Sequence, residues 1–227
     1  TTPIFHTFES SVGIAFNDSK LLKQAFTHRS YLNENPRSGL KHNERLEFLG
    51  DAVLELAITD YLYHRYPDKT EGDLTTYRAA LVNTVTIALV ASELGMNDYL
   101  LLSRGEAKDT GRARQAILAN TFESLIGALY LDQGYAAARA FIERYLTPKV
   151  EQLIAARRSQ DAKSYFQEKA QAIVDETPVY ELIKEAGPDH DKIFTVGLYL
   201  AKELVAEGSG HSKQEAEQVA AREGLKR

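Results

Sequence analysis

Four acidic residues, Glu44, Glu47, Asp51 and Glu55, recur at intervals of three and four along a stretch whose apolar residues (Leu46, Leu49, Val53, Leu54, Leu56, Ala57) also fall at helical spacing. At about 100° per residue the four acids occupy an arc of roughly 80° on one helix face. Like charges at these spacings repel, so the stripe opposes the helix unless a cation or solvent compensates. It is either a solvated acidic face or one half of a divalent-metal site. A second acid stands in an equally unusual place. Residues 114–131 are apolar over most of a helical surface, yet they contain Asn120, Thr121, Glu123 and Ser124. A Glu in a buried helix is rare unless it is ion-paired or metal-bound. Asn120 and Glu123 share a face, and together with Glu47 and Asp51 they could close an all-oxygen cage of the kind that suits Mg²⁺ or Mn²⁺. Paired divalent ions about 4 Å apart are a known device for displacement at phosphorus.

Such a cage needs two rigid helices, and the neighbouring sequence supplies them. Asn43 can open the acidic helix as its N-cap. Pro67 stops that helix near Arg65 by disfavouring helical geometry in the residue before it. Phe48 and Ala52 extend its apolar surface almost all the way round. Upstream, residues 21–27 read as a short amphipathic helix, followed by Thr27-His28-Arg29-Ser30-Tyr31 and a loop containing Asn33, Asn35, Pro36, Ser38 and Gly39. Downstream, Glu71-Gly72-Asp73-Leu74 marks a turn into a helix over 74–83, a further helix covers 85–94 and stops at Gly95, and 103–111 is polar and irregular. Residues 1–150 are therefore expected to form an all-α domain.

The chain then changes character. Residues 151–161 become polar and read as a linker, and 162–227 as a separate small domain. The pattern there is a helix (162–173), strands at 179–185, 193–200 and 202–207, a Gly-rich turn at 208–212 and a last helix (213–225). Phe194, Val196, Leu198 and Leu200 point one way in the middle strand. The order αβββα defines a small α+β module.

Composition narrows the function classes. The 227 residues are 44% hydrophobic and 26% charged, ordinary values for a globular protein. There is no cysteine, so any metal must be held by oxygen or histidine. No apolar run approaches the length of a membrane span and no signal-peptide pattern opens the chain, so no membrane association and a cytoplasmic setting are expected. The net charge of −5 weighs against a general nucleic-acid binder, whose affinity comes from Lys and Arg neutralising phosphates.

The motifs themselves point to one family. Asn-Glu-Arg-Leu-Glu-Phe-Leu-Gly-Asp-Ala-Val-Leu (43–54) resembles the signature of ribonuclease III. Phe-Thr-His-Arg-Ser-Tyr (26–31), Glu-Gly-Asp-Leu (71–74) and the run 117–132 (Ile-Leu-Ala-Asn-Thr-Phe-Glu-Ser and onward) resemble its other blocks. The tail, with Gly-Pro-Asp-His (187–190) and Gly-Ser-Gly-His-Ser-Lys (208–213), resembles its double-stranded RNA-binding domain. The single catalytic domain is the arrangement of the bacterial members. The resemblance implies a homodimer that hydrolyses double-stranded RNA with Mg²⁺, Mn²⁺ being able to substitute, and without any small-molecule cofactor. Its products would carry 5′-phosphate and 3′-hydroxyl ends with short 3′ overhangs, in rRNA and mRNA maturation and decay. It also implies that Glu47, Asp51, Asn120 and Glu123 hold metal, with Asp51 and Glu123 the most critical. Glu44 and Glu71 would be further catalytic acids near the scissile strand and the dimer contact. One position departs from the pattern: the family has Asp where this chain has Asn120. Asn keeps one carbonyl ligand but removes a charge and any bidentate option.

In the tail the resemblance assigns RNA contacts to Gln167, Glu168, His190, Ser212 and Lys213. From Asp161 onward the chain carries 9 Lys/Arg against 13 Asp/Glu, and Gln214 stands where the family often has a basic residue. Weak, salt-sensitive duplex binding is expected. Placement offsets the charge, because Lys213 opens a helix whose N-terminus attracts phosphate, and duplex RNA is read mainly by shape. His28, Arg29, Arg104, Lys108, Arg112 and Arg114 could add phosphate contacts, though solvated surface charge explains most of them equally well. Three readings remain open: a dimeric double-strand-specific endoribonuclease, an RNA-binding dimer weakened or inactivated by Asn120, and, setting the resemblance aside, a helical metal-dependent phosphoesterase.

Overall fold

A computed structural model describes residues 4–154, 162–188 and 191–227. Contacts divide the chain into two compact units, Thr1–Leu153 and Ile154–Arg227. Most of the expected linker, at 155–161, lies outside the described residues, as do Asp189 and His190.

The first unit is helical throughout: α1 (Phe5–Val12), α2 (Ser19–Ala25), α3 (Arg29–Glu34), α4 (Glu44–Arg65), α5 (Glu71–Leu81), α6 (Thr84–Glu93), α7 (Arg112–Gln133) and α8 (Tyr135–Tyr145). Local chemistry sets several of the starts. Asp18 accepts from the Lys20 amide to cap α2, and Asn83 accepts from the Thr86 amide to cap α6. Thr70 and Asp73 form a reciprocal capping box. That box starts α5 at Glu71, three residues before the expected Leu74, so the Glu-Gly-Asp-Leu block is helix rather than turn. Gly95, at φ 70°, ends the helical stretch after α6 as expected.

The N-terminus of α4 corrects another expectation. Asn43 precedes the helix, but its side chain caps nothing there. It is buried and donates from Nδ2 to the Ala25 carbonyl (3.0 Å), while its own carbonyl accepts from Ser124 Oγ (3.3 Å) of α7. Asn43 therefore ties the start of α4 to the end of α2 and to the middle of α7. A buried amide is stable there because its polar atoms are partnered.

The two long helices, α4 and α7, form the centre. Leu46, Val53, Leu54, Ala57 and Ile58 of α4 and Phe122, Leu125, Ile126 and Ala128 of α7 are all buried. The helices meet at glycines. A Cβ at Gly50 would collide with the Glu123 carbonyl oxygen and lie 2.8 Å from the Gly127 nitrogen, and a Cβ at Gly127 would collide with the Leu46 carbonyl oxygen. Interior glycine costs a helix up to about 1 kcal/mol relative to alanine. Here it permits a backbone-to-backbone crossing that no other residue allows.

The second unit consists of α9 (Ala162–Val174), β1 (Val179–Ala186), β2 (Ile193–Leu200), β3 (Glu203–Gly210) and α10 (Lys213–Gly224). The strands form an antiparallel sheet in the order β1-β2-β3, with Leu182 opposite Val196 and Val196 opposite Gly208. One sheet face is covered by the two helices through Ala162, Phe166, Ala170, Leu198, Ala206, Ala220 and Ala221. The third strand is shifted from its expected place. Ala201 and Lys202 both have positive φ (47° and 72°), the requirement of a two-residue type I′ hairpin turn, so Lys202 belongs to the turn. At the other end, Gly208 to Gly210 is strand, not turn. A Cβ at Gly208 would strike the backbone of Ala216 and Ala220, so this glycine lets α10 lie on the sheet. Among the described residues no single helix is long and apolar enough to cross a membrane.

Gly127→Ala is expected to destabilise the first unit by about 1–3 kcal/mol, the range for overpacked cores, read as a lower midpoint in chemical denaturation of the full chain. Gly72→Ala, at an open position in α5 where the nearest atom is 3.8 Å away, is expected to leave stability unchanged or to raise it by up to about 1 kcal/mol.

Candidate active site

The glycine crossing sets Glu123 of α7 against the acidic stripe of α4. Burial, then the negative charges of Asp51 and Glu47, push the Glu123 carboxyl up to about 7. Burial also raises Glu47, as do Glu44 and Asp51, while a hydrogen bond from Asn120 acts in the opposite direction. Glu47, Asp51, Asn120 and Glu123 thus share one electrostatic neighbourhood. The ion-pair explanation for Glu123 fails: among the described residues, neither it nor Glu47 nor Asp51 has a cationic partner. Glu123 is only half-buried, because the Asn120 and Glu123 face of α7 opens to the surface beside α4.

With these rotamers, no three His, Asp or Glu side chains among the described residues stand close enough together to enclose a metal ion. The donor chemistry nonetheless fits one. Three mutually repelling carboxylates with no partner cation, plus an amide oxygen, are the hard oxygen donors that divalent cations prefer. A hydrogen bond to Glu47 uses the Asn120 N–H, so the carbonyl oxygen is the atom Asn120 would offer a cation.

The remaining predicted acids are distributed around this centre. Glu44, one turn earlier on α4, is held by Arg29 (3.2 Å) and faces His42 (3.7 Å). Glu55 is exposed on the far end of the stripe. Glu71 is not brought into the cluster. It begins α5, accepts from Thr75 Oγ1 (3.0 Å) and lines a pocket of about 430 Å³ with Thr59, Leu62, Tyr63, Lys69, Leu74, Thr75 and Arg78. That pocket meets α4 at Thr59 and beyond, about 12 Å or more along the helix axis from Asp51.

Of the basic residues near the site, Arg29 is committed to Glu44. Arg114 is structural, donating to Asn97 Oδ1 (3.0 Å) and the Glu106 carbonyl (2.8 Å). Lys108 and Arg112 are exposed. In the second unit, Gln167 and Glu168 lie exposed on α9. Ser212 caps α10 by accepting from the Glu215 amide (3.1 Å), and Lys213 and Gln214 follow it, exposed. His190 lies outside the described residues.

Comparison with known proteins covers both units. Residues 18–150 match the family described as ribonuclease-III-like, and residues 162–227 match the double-stranded RNA binding motif. Ribonuclease 3 of Pelotomaculum thermopropionicum is 46% identical over 217 residues, covering 96% of this chain and 90% of that protein. The chain belongs to the ribonuclease III family. Ribonuclease 3 of Enterococcus faecalis is 47% identical over 214 residues, covering 94% of this chain and 93% of that one. Among solved structures, the nuclease domain of Campylobacter jejuni ribonuclease III superposes with a TM-score of 0.57 at 38% identity, covering 64% of this chain and 99% of that domain. The helical ribonuclease III nuclease fold followed by an αβββα RNA-binding fold is the architecture expected from the sequence.

Four residues assemble this site without taking part in it, and the sequence pattern assigns none of them that role. Gly50 and Gly127 set the helix crossing, and Asn43 and Ser124 lock its register. An interior glycine in each of two long helices was the available signal. A consequence for stability follows from Glu123. Its carboxyl titrates near 4.5 ordinarily and about 7 here, so between those values the folded state holds more protons than the unfolded chain and stability falls as pH rises through that window. Without divalent cation, Glu123→Gln is therefore expected to raise the thermal midpoint at about pH 8 and to leave it little changed at about pH 4. An equal rise at both pH values would contradict the electrostatic origin.

Proposed function

We propose that this ribonuclease III hydrolyses the phosphodiester bonds of double-stranded RNA with Mg²⁺, leaving 5′-phosphate and 3′-hydroxyl ends with short 3′ overhangs, in cytoplasmic rRNA and mRNA maturation and decay. The observation that carries this reading is the cluster of unpaired carboxylates at the α4–α7 crossing, on the same chain as a double-stranded RNA binding motif. Residues 1–150 would perform the chemistry, 162–227 would hold the duplex, and 151–161 would link them. That second module argues against a small-molecule phosphoesterase, which has no use for it.

Glu47, Asp51, Glu123 and the Asn120 carbonyl are the groups that would hold the cation. When bound, the cation supplies activation of the attacking water and charge stabilisation for the leaving 3′-oxygen. The chain's own contribution is position and charge. The crossing would offer two candidate ligands from each helix, and the raised Glu123 carboxyl would give up its proton on binding a cation. Glu44, restrained by Arg29, would stand on the substrate side of this group. The weakened-enzyme alternative rests on Asn120 alone. Its hydrogen bond to Glu47 and its free carbonyl favour reduced metal affinity over loss of the site.

A homodimer is part of the same reading. Phe48, Leu56 and Tyr63 form a stripe along α4 and are 83%, 57% and 68% exposed, although the opposite face of the helix is core. Exposed apolar surface of this kind marks an interface. A two-fold contact would use it twice, with Phe48 of each copy offered to the apolar pocket beneath α5 of the other. Because Phe48 adjoins Glu47 and Glu71 lines that pocket, the same contact would carry Glu71 towards the second copy's acidic stripe.

The chain is expected to cleave a long RNA duplex in Mg²⁺, and Glu123→Ala to lose on the order of a hundredfold or more of that activity. Asn120→Asp is expected to lower the Mg²⁺ concentration giving half-maximal rate, on the order of tenfold. Cleavage by the Asn120→Asp variant alone would sink the active reading in favour of the RNA-binding one. Phe48→Glu is expected to convert a dimer into a folded monomer, read by light scattering on a sizing column, and to abolish cleavage.

A further inference from the structure

The phosphate-facing end of the second unit is already neutralised by its own acids. Glu185, near the end of β1, places one carboxylate oxygen 3.8 Å from Lys192 Nζ and the other 3.9 Å from Lys213 Nζ. Lys213 also lies over the Phe194 ring, at 5.9 Å, and Phe194 is the β2 residue paired with Glu185. Next to this group, His211 Nδ1 faces Asp191 Oδ1 at 3.4 Å, and the Glu215 carboxylate accepts from the His211 amide at 2.8 Å. A single carboxylate thus spans two lysines that flank the start of α10, the element whose N-terminus and first lysine are suited to phosphate.

We propose that Glu185 is an affinity-setting residue for duplex RNA. It occupies Lys192 and Lys213 in the free protein, and it remains as a fixed negative charge beside any phosphate that replaces it. The proposal rests on the reading of residues 162–227 as the duplex-binding module and adds a reason for weak binding that net charge alone does not supply. A lysine meeting phosphate normally releases a condensed counterion, which makes binding salt-dependent. A lysine that must first give up a carboxylate contributes less affinity and a shallower salt dependence. Position matters more than charge count here. Glu181 lies on the same strand but opposite Gly197, on the sheet face that the helices leave uncovered, where the same charge stands away from the phosphate-facing lysines.

The test is duplex RNA binding by the full chain in EDTA, where no cleavage occurs, over a series of NaCl concentrations. Glu185→Gln is expected to bind about two- to tenfold more tightly at low salt, the range for releasing two exposed ion pairs. Its plot of log affinity against log salt is expected to steepen by about one unit, converging on the parent at high salt. Glu181→Gln, which removes the same charge from the other face, is expected to change affinity less than twofold or so. Unchanged or weaker binding by Glu185→Gln, or an equal gain in both variants, overturns the proposal while leaving the module's RNA-binding role intact. Failure of the parent chain to bind duplex RNA at any salt overturns that role, and this proposal with it. Unaltered thermal midpoints in both variants exclude a folding artefact.

Discussion

The closeness of two helix backbones is the constraint on which the nuclease unit depends. α4 and α7 approach until Gly50 and Gly127 leave no space for a side chain, and that approach sets Glu123 beside Glu47 and Asp51. Each interior glycine sacrifices some helix stability, and the crossing is held by other means. Large apolar side chains such as Leu54, Ile58, Phe122 and Ile126 bury completely around it. The buried Asn43 pins α4 against α2 and α7 through partnered polar atoms. Such bonds add little net energy but forbid sliding, because a shifted register would strand a buried amide.

The same crossing creates an electrostatic debt. Carboxylates that repel one another and lose water on burial destabilise the fold wherever they are ionised, and Glu123 and Glu47 are both raised for these reasons. A structural site would have drawn in an arginine or lysine, as the nearby Asp60 does with Arg139 at 2.7 Å. Among the described residues no compensating cation meets these carboxylates, so the charge imbalance is available to an external one. The proposed metal site and the local instability have one physical cause.

In the second unit the electrostatics run the other way. Lys192 and Lys213 are both met by Glu185, while the apolar scaffold is built from alanines and Gly208 that let two helices lie close on three strands. Duplex RNA is engaged by such modules through shape and backbone contacts. On the proposed reading, the affinity of this net acidic domain depends on where its acids sit and not only on their number.

What could be read without coordinates follows from periodicity and local chemistry. The long helices, the αβββα tail, the acidic stripe and the polar face of α7 appear in the order and spacing of residues, because helix and strand periods expose buried faces directly. Boundaries failed where a side chain acts on its own backbone, as Thr70 and Asp73 do in starting α5 early and the Ala201-Lys202 turn does in shifting β3. Asn43 stands where a local cap is expected and acts instead as a long-range tether. The stripe and Glu123 were visible as chemistry, and residue types alone made a shared cage one option, but that they face each other was implied only by the family resemblance. The residues alone could not show it, since the pairing of helices 70 residues apart is decided by which surfaces fit. Tertiary structure alone decided that Glu71 stands away from its own chain's cluster, that Glu185 reaches both lysines, and that one face of α4 remains apolar and bare. Each depends on side chains distant in sequence meeting in space, and that depends on packing rather than on pattern.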